Sequence, residues 1–378
     1  MRICYFADGR TVHTQRWMKY FSSVGHEMHL ISFAPMSDQD NEALAEIGVK
    51  VHGDIGNFHV KRFWLTFDGV KFLRRVLRSE RIDILNSHFL GTNAWYAAMS
   101  RFHPHVITVM GGGDVTGVDW KPNGNAQSRI LTPLALRNAD YITSWSRLMA
   151  DAVAPYCKGT PIEVVHGGIH LERFFPGERP AYLLERFNLP EDAKVVFSPR
   201  LMRPLSNVVE VARAAQIIEQ RSSNTYYLVA FPATVVDEEY GREVKRLFEE
   251  GVGADKVRFI SEIPHHEIPD YFRLADVTIS IPDTDGTPMT VLESMACGTP
   301  TVIGNLPDYD KEYFEDEKTT LMVNVKDPKS IAVAISRLLT DQETAASIAT
   351  EARRRVLETG GYEYQMSKME KIYERVAG

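Results

Sequence analysis

The stretch from Ile279 to Asn305, ISIPDTDGTPMTVLESMACGTPTVIGN, decides how this chain is read. An apolar run closes at Ile281, a polar turn follows from Pro282 to Gly286, and a helical pattern begins at once. Thr287 has the side chain of a helix N-cap, and Pro288 fits the first helical position, where its missing N–H would have had no partner. Gly298 and Pro300 stop the helix, so it is predicted to run from about Pro288 to Cys297. Such a start leaves amides free near Gly286, Thr287, Met289 and Thr290, with Val291 in the same turn, and the peptide dipoles add about half a positive charge there. A diphosphate fits that environment. Glu293 lies five residues into the helix, about 7.5 Å along its axis, near the span from a phosphate to a ribose. Asp285 stands before the helix, where it can accept hydrogen bonds from hydroxyls of a transferred sugar.

Outward from this stretch, short apolar runs alternate with amphipathic helical patterns. In the first half, Met1–Phe6, His29–Phe33, Asp83–Asn86, His105–Val109, Tyr141–Ser144 and Glu163–Val165 read as strands, and Thr14–Ser23 as a helix. In the second half, Lys194–Ser198, Tyr226–Ala230, Val257–Ile260, Val277–Ile281 and Pro300–Ile303 read as strands, with helical patterns between them. The pattern pauses in the proline- and glycine-bearing stretch Leu171–Pro190. The expectation is an α/β chain of two doubly wound parallel-sheet domains, 1–175 and 191–359, joined by a linker at 176–190. Ligands of such sheets bind beyond the carboxyl ends of the strands.

Composition narrows the class. The chain has 378 residues and a formal net charge of −7, against the basic footprint that nucleic-acid binding needs. Its three cysteines, Cys4, Cys157 and Cys297, form no metal or disulfide pattern and read as small core residues. The apolar run at the N-terminus is too short for a signal peptide, and no apolar stretch approaches the ~20 residues of a membrane span. The expected location is therefore cytoplasmic.

Asp285 and Glu293 are eight residues apart within DGTPMTVLESMACGTPTV. This spacing resembles the E-x7-E signature of family 4-type retaining glycosyltransferases (glycosyl transferases group 1), which have the GT-B fold. TVHTQRWMKYFSSVGHEMHLIS, VVHGGIHLERFFP and VRFISEIPHHEIPDYFRLADVTIS resemble further segments of that family in the same order. The resemblance implies two Rossmann-like domains facing a central cleft, with a C-terminal helix at about 360–378 packed back on the first. It implies a UDP- or GDP-linked sugar as donor, and neither cofactor nor metal. It places Asp285 at the donor sugar, Glu293 at the ribose, and backbone groups near Ile263 at the nucleobase. Relatives carry an Arg and a Lys five residues apart to neutralise the diphosphate. Here Arg200 matches, Leu205 stands at the Lys position, and Arg203 is the candidate substitute. Asp285 is one methylene shorter than the family's Glu, and Met110 stands where relatives often have a His.

The remaining candidates each have a plainer reading. Gly112, Gly113 and Asp114 in VMGGGDVTG let the backbone approach a ligand, or form a tight turn. Gly9, His13 and Arg16 follow the first strand and serve an acceptor, or stabilise a helix start. His88 at a strand end contacts substrate, or is a satisfied core histidine. Asp283-Thr284-Asp285 has the look of a metal-binding DxD, but a helix follows it and no further ligands stand nearby in sequence. The basic region 61–81, with Lys61, Arg62, Lys71, Arg74, Arg75, Arg78 and Arg81, suits the inner face of an anionic membrane. The simpler reading is a helix with Val70, Leu73 and Leu77 in the core. Together these readings predict a metal-independent retaining transfer of a sugar to a lipid-linked or glycan acceptor. The alternatives are a catalytically idle sugar-nucleotide-binding protein and a sugar-nucleotide epimerase of the same fold.

Overall fold

A computed structural model describes residues 1–54, 63–110, 126–221, 224–230, 237–307 and 309–378. The chain divides into two compact units, Met1–Gly167 with Glu363–Gly378, and Gly168–Tyr362.

The first unit holds β1 (Arg2–Ala7), β2 (Glu27–Ser32), β3 (Val49–Asp54), β4 (Ile84–His88), β5 (His105–Val109), β6 (Tyr141–Ser144) and β7 (Ile162–Val164). They pair in parallel in the order β3-β2-β1-β4-β5-β6-β7. The second unit holds β8 (Lys194–Ser198), β9 (Thr225–Ala230), β10 (Val257–Ile260), β11 (Val277–Ser280), β12 (Thr301–Gly304) and β13 (Leu321–Val323), also parallel, in the order β10-β9-β8-β11-β12-β13. β4, β5 and β6 are buried at every residue, as expected for parallel strands covered on both faces. In β8 the pleat sends Val195 and Phe197 to one core and Val196 to the other. The strand order reverses between β1 and β4 and again between β8 and β11, and each reversal opens a crevice at the carboxyl ends of those strands.

The edge strands β3 and β13 are additions to the sequence reading. β13 spans only three residues, too few to show a period. Residues 176–190, read as a linker, carry the helix Ala181–Arg186, bury Leu183 and Leu189, and count with the second unit. The last helix, Tyr362–Ala377, lies almost wholly in the first unit. There the buried Tyr373 hydroxyl accepts from Asn86 Nδ2 at 2.6 Å and donates to Tyr5 Oη at 2.9 Å. Within the basic region, Val70, Leu73 and Leu77 are buried. Arg74 donates to the carbonyls of Met99 and Ser100 at 2.7 and 2.9 Å, satisfying the end of the helix Thr92–Ser100. Lys61 and Arg62 lie outside the described residues. Among the described residues no helix is long and apolar enough to cross a membrane.

The chain leaves the first unit at Gly167 and returns to it after Tyr362. Ile169 N donates to Gly360 O, and Tyr362 N to Ile169 O, each at 2.8 Å. Gly168 has φ +70°, and a Cβ there would stand 2.5 Å from the Cα of Tyr362. Both the left-handed backbone and the backbone contact exclude a side chain. Gly168→Ala is therefore expected to cost about 1–3 kcal/mol, read as a lowered thermal midpoint. An unchanged midpoint would show that this crossing is loosely held.

Candidate functional site

Arg200 and Asp285 come from the carboxyl ends of β8 and β11, the adjacent strands at the reversal of the second sheet. Arg200 Nε donates to Ser280 Oγ at 2.6 Å, and its Nη2 makes a close ion pair with the Asp285 carboxylate. The other Asp285 oxygen accepts from the amide of Gly286 at 2.8 Å. The two side chains are only 23% and 19% exposed, so the pair is held largely out of water. The structure thus brings two of the sequence candidates into direct contact, each fixing the other.

A second cation stands beside the same turn. Lys326, three residues past β13, places Nζ 2.6 Å from Asn207 Oδ1 and 2.7 Å from Asp283 Oδ1. Asn207 Nδ2 donates to Asp283 Oδ1 at 2.7 Å and to the carbonyl of Ile281 at 2.9 Å. Burial acts to raise the Asp283 pKa, but the bonds from Asn207 and Lys326 outweigh it and hold the carboxyl below its ordinary value. Each carboxylate of the DxD-like turn therefore already faces a cation. Leu205 is 49% exposed, and its carbonyl accepts from the amide of Asp283 at 2.9 Å. Arg203 is exposed, with no side-chain bond or ion pair among the described residues. Nothing local in sequence marks Lys326; the only hint is its place between a strand and the helix Pro328–Thr340.

The helix after the turn runs from Met289 to Ala296, one residue shorter at each end than expected. Its N-cap is Pro288, in extended geometry, and no side chain caps it. Thr287 does not act as the cap: its Oγ1 is buried and has no partner among the described residues. The amides of Val291 and Leu292 donate to the carbonyl of Pro288 at 3.0 and 3.2 Å, and the Val291 side chain is in the core. Val291 therefore offers a ligand neither side chain nor amide. The Gly286 amide already donates to Asp285, which leaves Thr287, Met289 and Thr290 as the amides ahead of the helical ladder. Glu293 is half-buried on this helix, and Ile263 packs at the margin of the adjoining core.

In the first unit, Gly9 follows β1 and is buried. A Cβ on it would meet Leu30 Cδ2 at 2.6 Å and Met36 Sδ at 2.7 Å, and its carbonyl accepts from Gln15 Nε2 at 2.9 Å. Close packing thus accounts for the glycine. Thr11 caps the helix Val12–Ser23, which carries His13 and Arg16. His13 is exposed and sets its ring edge-on to Trp145 at 4.6 Å; desolvation, then the charge of Arg16, lowers its pKa. His88, at the end of β4, is fully buried beside Tyr5 and Trp17, with Nδ1 3.4 Å from Thr14 Oγ1. Its Nε2 and the Nε1 atoms of Trp17 and Trp145 have no partner among the described residues. Gly112, Gly113 and Asp114 lie outside the described residues.

One further group was not visible in sequence. His29, His52 and Glu80 bring ligand-type atoms within 4.8 Å of one another. His29 Nδ1 and His52 Nε2 are 2.8 Å apart with their rings nearly parallel, the geometry of a hydrogen bond between neutral imidazoles. Desolvation, the first cause for both, lowers their pKa values.

Comparison with known proteins matches residues 183–355 to the family model Glycosyl transferases group 1, and residues 7–173 to Glycosyltransferase Family 4. The D-inositol 3-phosphate glycosyltransferase of Streptosporangium roseum is 27% identical over 365 residues, covering 88% of this chain and 80% of that protein. Its counterpart in Frankia alni is 25% identical, covering 92% and 89%. Among solved structures, a glycosyltransferase from Rickettsia africae superposes with a TM-score of 0.83 at 16% identity, covering 99% and 98%. Anabaena HepE in complex with UDP-glucose gives 0.74 at 15% identity, covering 99% and 100%. At these identities the structures speak for the fold alone.

The buried histidines set a pH dependence. Burial, the largest cause in each case, pushes His88, His105 and His166 from the ordinary value of 6.5 down to about 3. Between those values the unfolded chain takes up protons that the folded chain refuses. Stability is thus complete above pH 6.5 and declines as pH falls toward 3. The thermal midpoint is expected to be lower at about pH 5 than at about pH 7.5, with a shallower fall in His105→Asn. A flat profile across that window would contradict the burial assigned to these side chains.

Proposed function

The chain belongs to the group 1 glycosyltransferases, with their GT-B fold, and on that premise we propose a specific reaction. It moves a sugar from a UDP- or GDP-linked donor to a hydroxyl of a lipid-linked or glycan acceptor, retaining the anomeric configuration and using no metal. The observation that carries this reading is the meeting of Arg200 and Asp285 directly ahead of the helix that bears Glu293.

The diphosphate lies against the amides of Thr287, Met289 and Thr290, where the helix dipole favours negative charge. Glu293 accepts from the ribose hydroxyls, and Asp285 from hydroxyls of the transferred sugar. Arriving phosphate oxygens compete with Asp285 for Arg200, which then neutralises the leaving group. The bond from the anomeric carbon to the diphosphate breaks while the acceptor oxygen bonds that carbon on the same face. The acceptor proton passes to the departing diphosphate, so no protein nucleophile takes part. Charge develops on the leaving oxygen, where a preorganised cation and amides act most strongly. With both turn carboxylates matched by Arg200 and Lys326, cations supply what a metal would otherwise provide.

The acceptor in this reading meets the first unit near His13 and Arg16, with Gly9 and His88 buried beneath them. The relatives named for D-inositol 3-phosphate put that alcohol on the acceptor panel. The proposed setting is cytoplasmic, with peripheral membrane contact through the exposed Lys71, Arg75 and Arg78.

The test is transfer from a panel of UDP- and GDP-sugars in the presence of a chelator, with the product anomer assigned by NMR. Turnover with retention is expected; tight donor binding without turnover for any pair would make the protein an idle sugar-nucleotide binder. Glu293→Ala is expected to weaken nucleotide binding at least about tenfold, since each charged hydrogen bond contributes roughly 1.5–3 kcal/mol. Calorimetry showing equal affinity would remove Glu293 from the ribose. Arg200→Ala is expected to lower kcat by roughly 10²–10³, as for loss of one oxyanion donor, in steady-state assays at saturating donor.

A further inference from the structure

Beyond β12 the chain carries a tyrosine whose hydroxyl has no partner among the described residues. Tyr309 is 5% exposed, and its ring packs against Phe314 at 5.1 Å between centroids. Its Oη is buried with no partner among the described residues. β12 pairs in parallel with β11, so the segment after it leaves the sheet at the same end as Asp285. A Cβ on Gly304 would stand 3.7 Å from the carbonyl oxygen of Pro282, which sets the end of β12 against the turn that contains Asp285.

The charges of both Asp285 and Arg200 reach the Tyr309 hydroxyl. Burial first, and then Asp285, drive its pKa far above the tyrosine range, with Arg200 acting in the opposite direction. The group therefore stays protonated and is a hydrogen-bond donor at any working pH. Most buried polar groups in native proteins are paired, so one without a partner among the described residues, beside the turn of Asp285, is suited to take one from a ligand.

We propose that Tyr309 is a donor-recognition residue whose hydroxyl gives a hydrogen bond to an oxygen of the transferred sugar once the diphosphate has drawn Arg200 away from Asp285. The inference rests on the donor placement proposed above. Asp285 contributes only acceptor oxygens, whereas a sugar hydroxyl can both give and take. Tyr309 supplies the donor half of that exchange. The shortened acidic side chain at 285 leaves the sugar contact thinner by one methylene.

The experiment compares wild type with Tyr309→Phe for binding of UDP, UDP-glucose, GDP and GDP-mannose by calorimetry, together with transfer rates and thermal midpoints. Supporting results are unchanged affinity for the nucleoside diphosphate, at least a tenfold loss for the corresponding sugar nucleotide and in kcat/KM, and a thermal midpoint equal to or above wild type. A purely structural hydroxyl would instead lower the midpoint and leave binding of diphosphate and sugar nucleotide unchanged, or weaken both equally. Either outcome overturns the proposal. Failure of the underlying reading looks different: wild type would bind none of the four probes, or Glu293→Ala would bind them as wild type does.

Discussion

Everything at the candidate site depends on the parallel pairing of β8 with β11, two strands far apart in sequence. Because the strand order turns around at that pair, no crossover helix covers their carboxyl ends on the same side. Arg200 leaves one strand and Asp285 the other, so backbone pairing makes neighbours of two side chains with no local relation. The same end of the sheet receives Asn207 and Lys326 from strand-to-helix connections and Tyr309 from the segment between β12 and β13. A shift in the register of β11 against β8 would move the acid from the base and disperse the group. The apolar runs inside the sheet, such as Val195–Phe197 and Val277–Ile279, hold that register by burial on both faces.

The site is therefore built from loops on a stiff frame, and its polar atoms are unevenly satisfied. Asp283 and Asp285 each accept from a cation, while the hydroxyls of Thr287 and Tyr309 have no partner among the described residues. A buried hydroxyl without a partner costs stability. The imbalance sits where a ligand with many oxygens is expected, and the surrounding core at Val291, Leu292 and Phe314 shows none of it.

Much of this was legible from residues 279–305. Pro282, Gly286, Pro288, Gly298 and Pro300 punctuate the strand–turn–helix unit sharply enough to fix it within one residue. The alternating pattern likewise disclosed the interior strands, because buried parallel strands must be apolar along their whole length. Two of the four edge strands escaped: β13 is too short for a period, and β3 carries Lys50 and His52 among its valines. Thr287 had the chemistry of a cap, yet the extended backbone at Pro288 starts the helix one residue later. Lys326 and Tyr309 were invisible for another reason. Their relation to Asp283 and Asp285 exists only through the pairing of β11, β12 and β13, and no local spacing encodes it.

The double pairing of Arg200 with Asp285 and Lys326 with Asp283 also bears on kinetics. The four charges sum to zero, so the turn projects little net field into solvent, and the chain as a whole carries −7. A doubly charged donor is then drawn in chiefly by the short-range dipoles of the helix start and scarcely by long-range steering. Exchange of ion-pair partners after contact, more than attraction before it, governs capture. Steered encounters slow steeply with added salt, whereas contact-controlled ones do not. The association rate of the nucleotide sugar should accordingly depend only weakly on ionic strength, a property that follows from neutrality of the site and is independent of which sugar is moved.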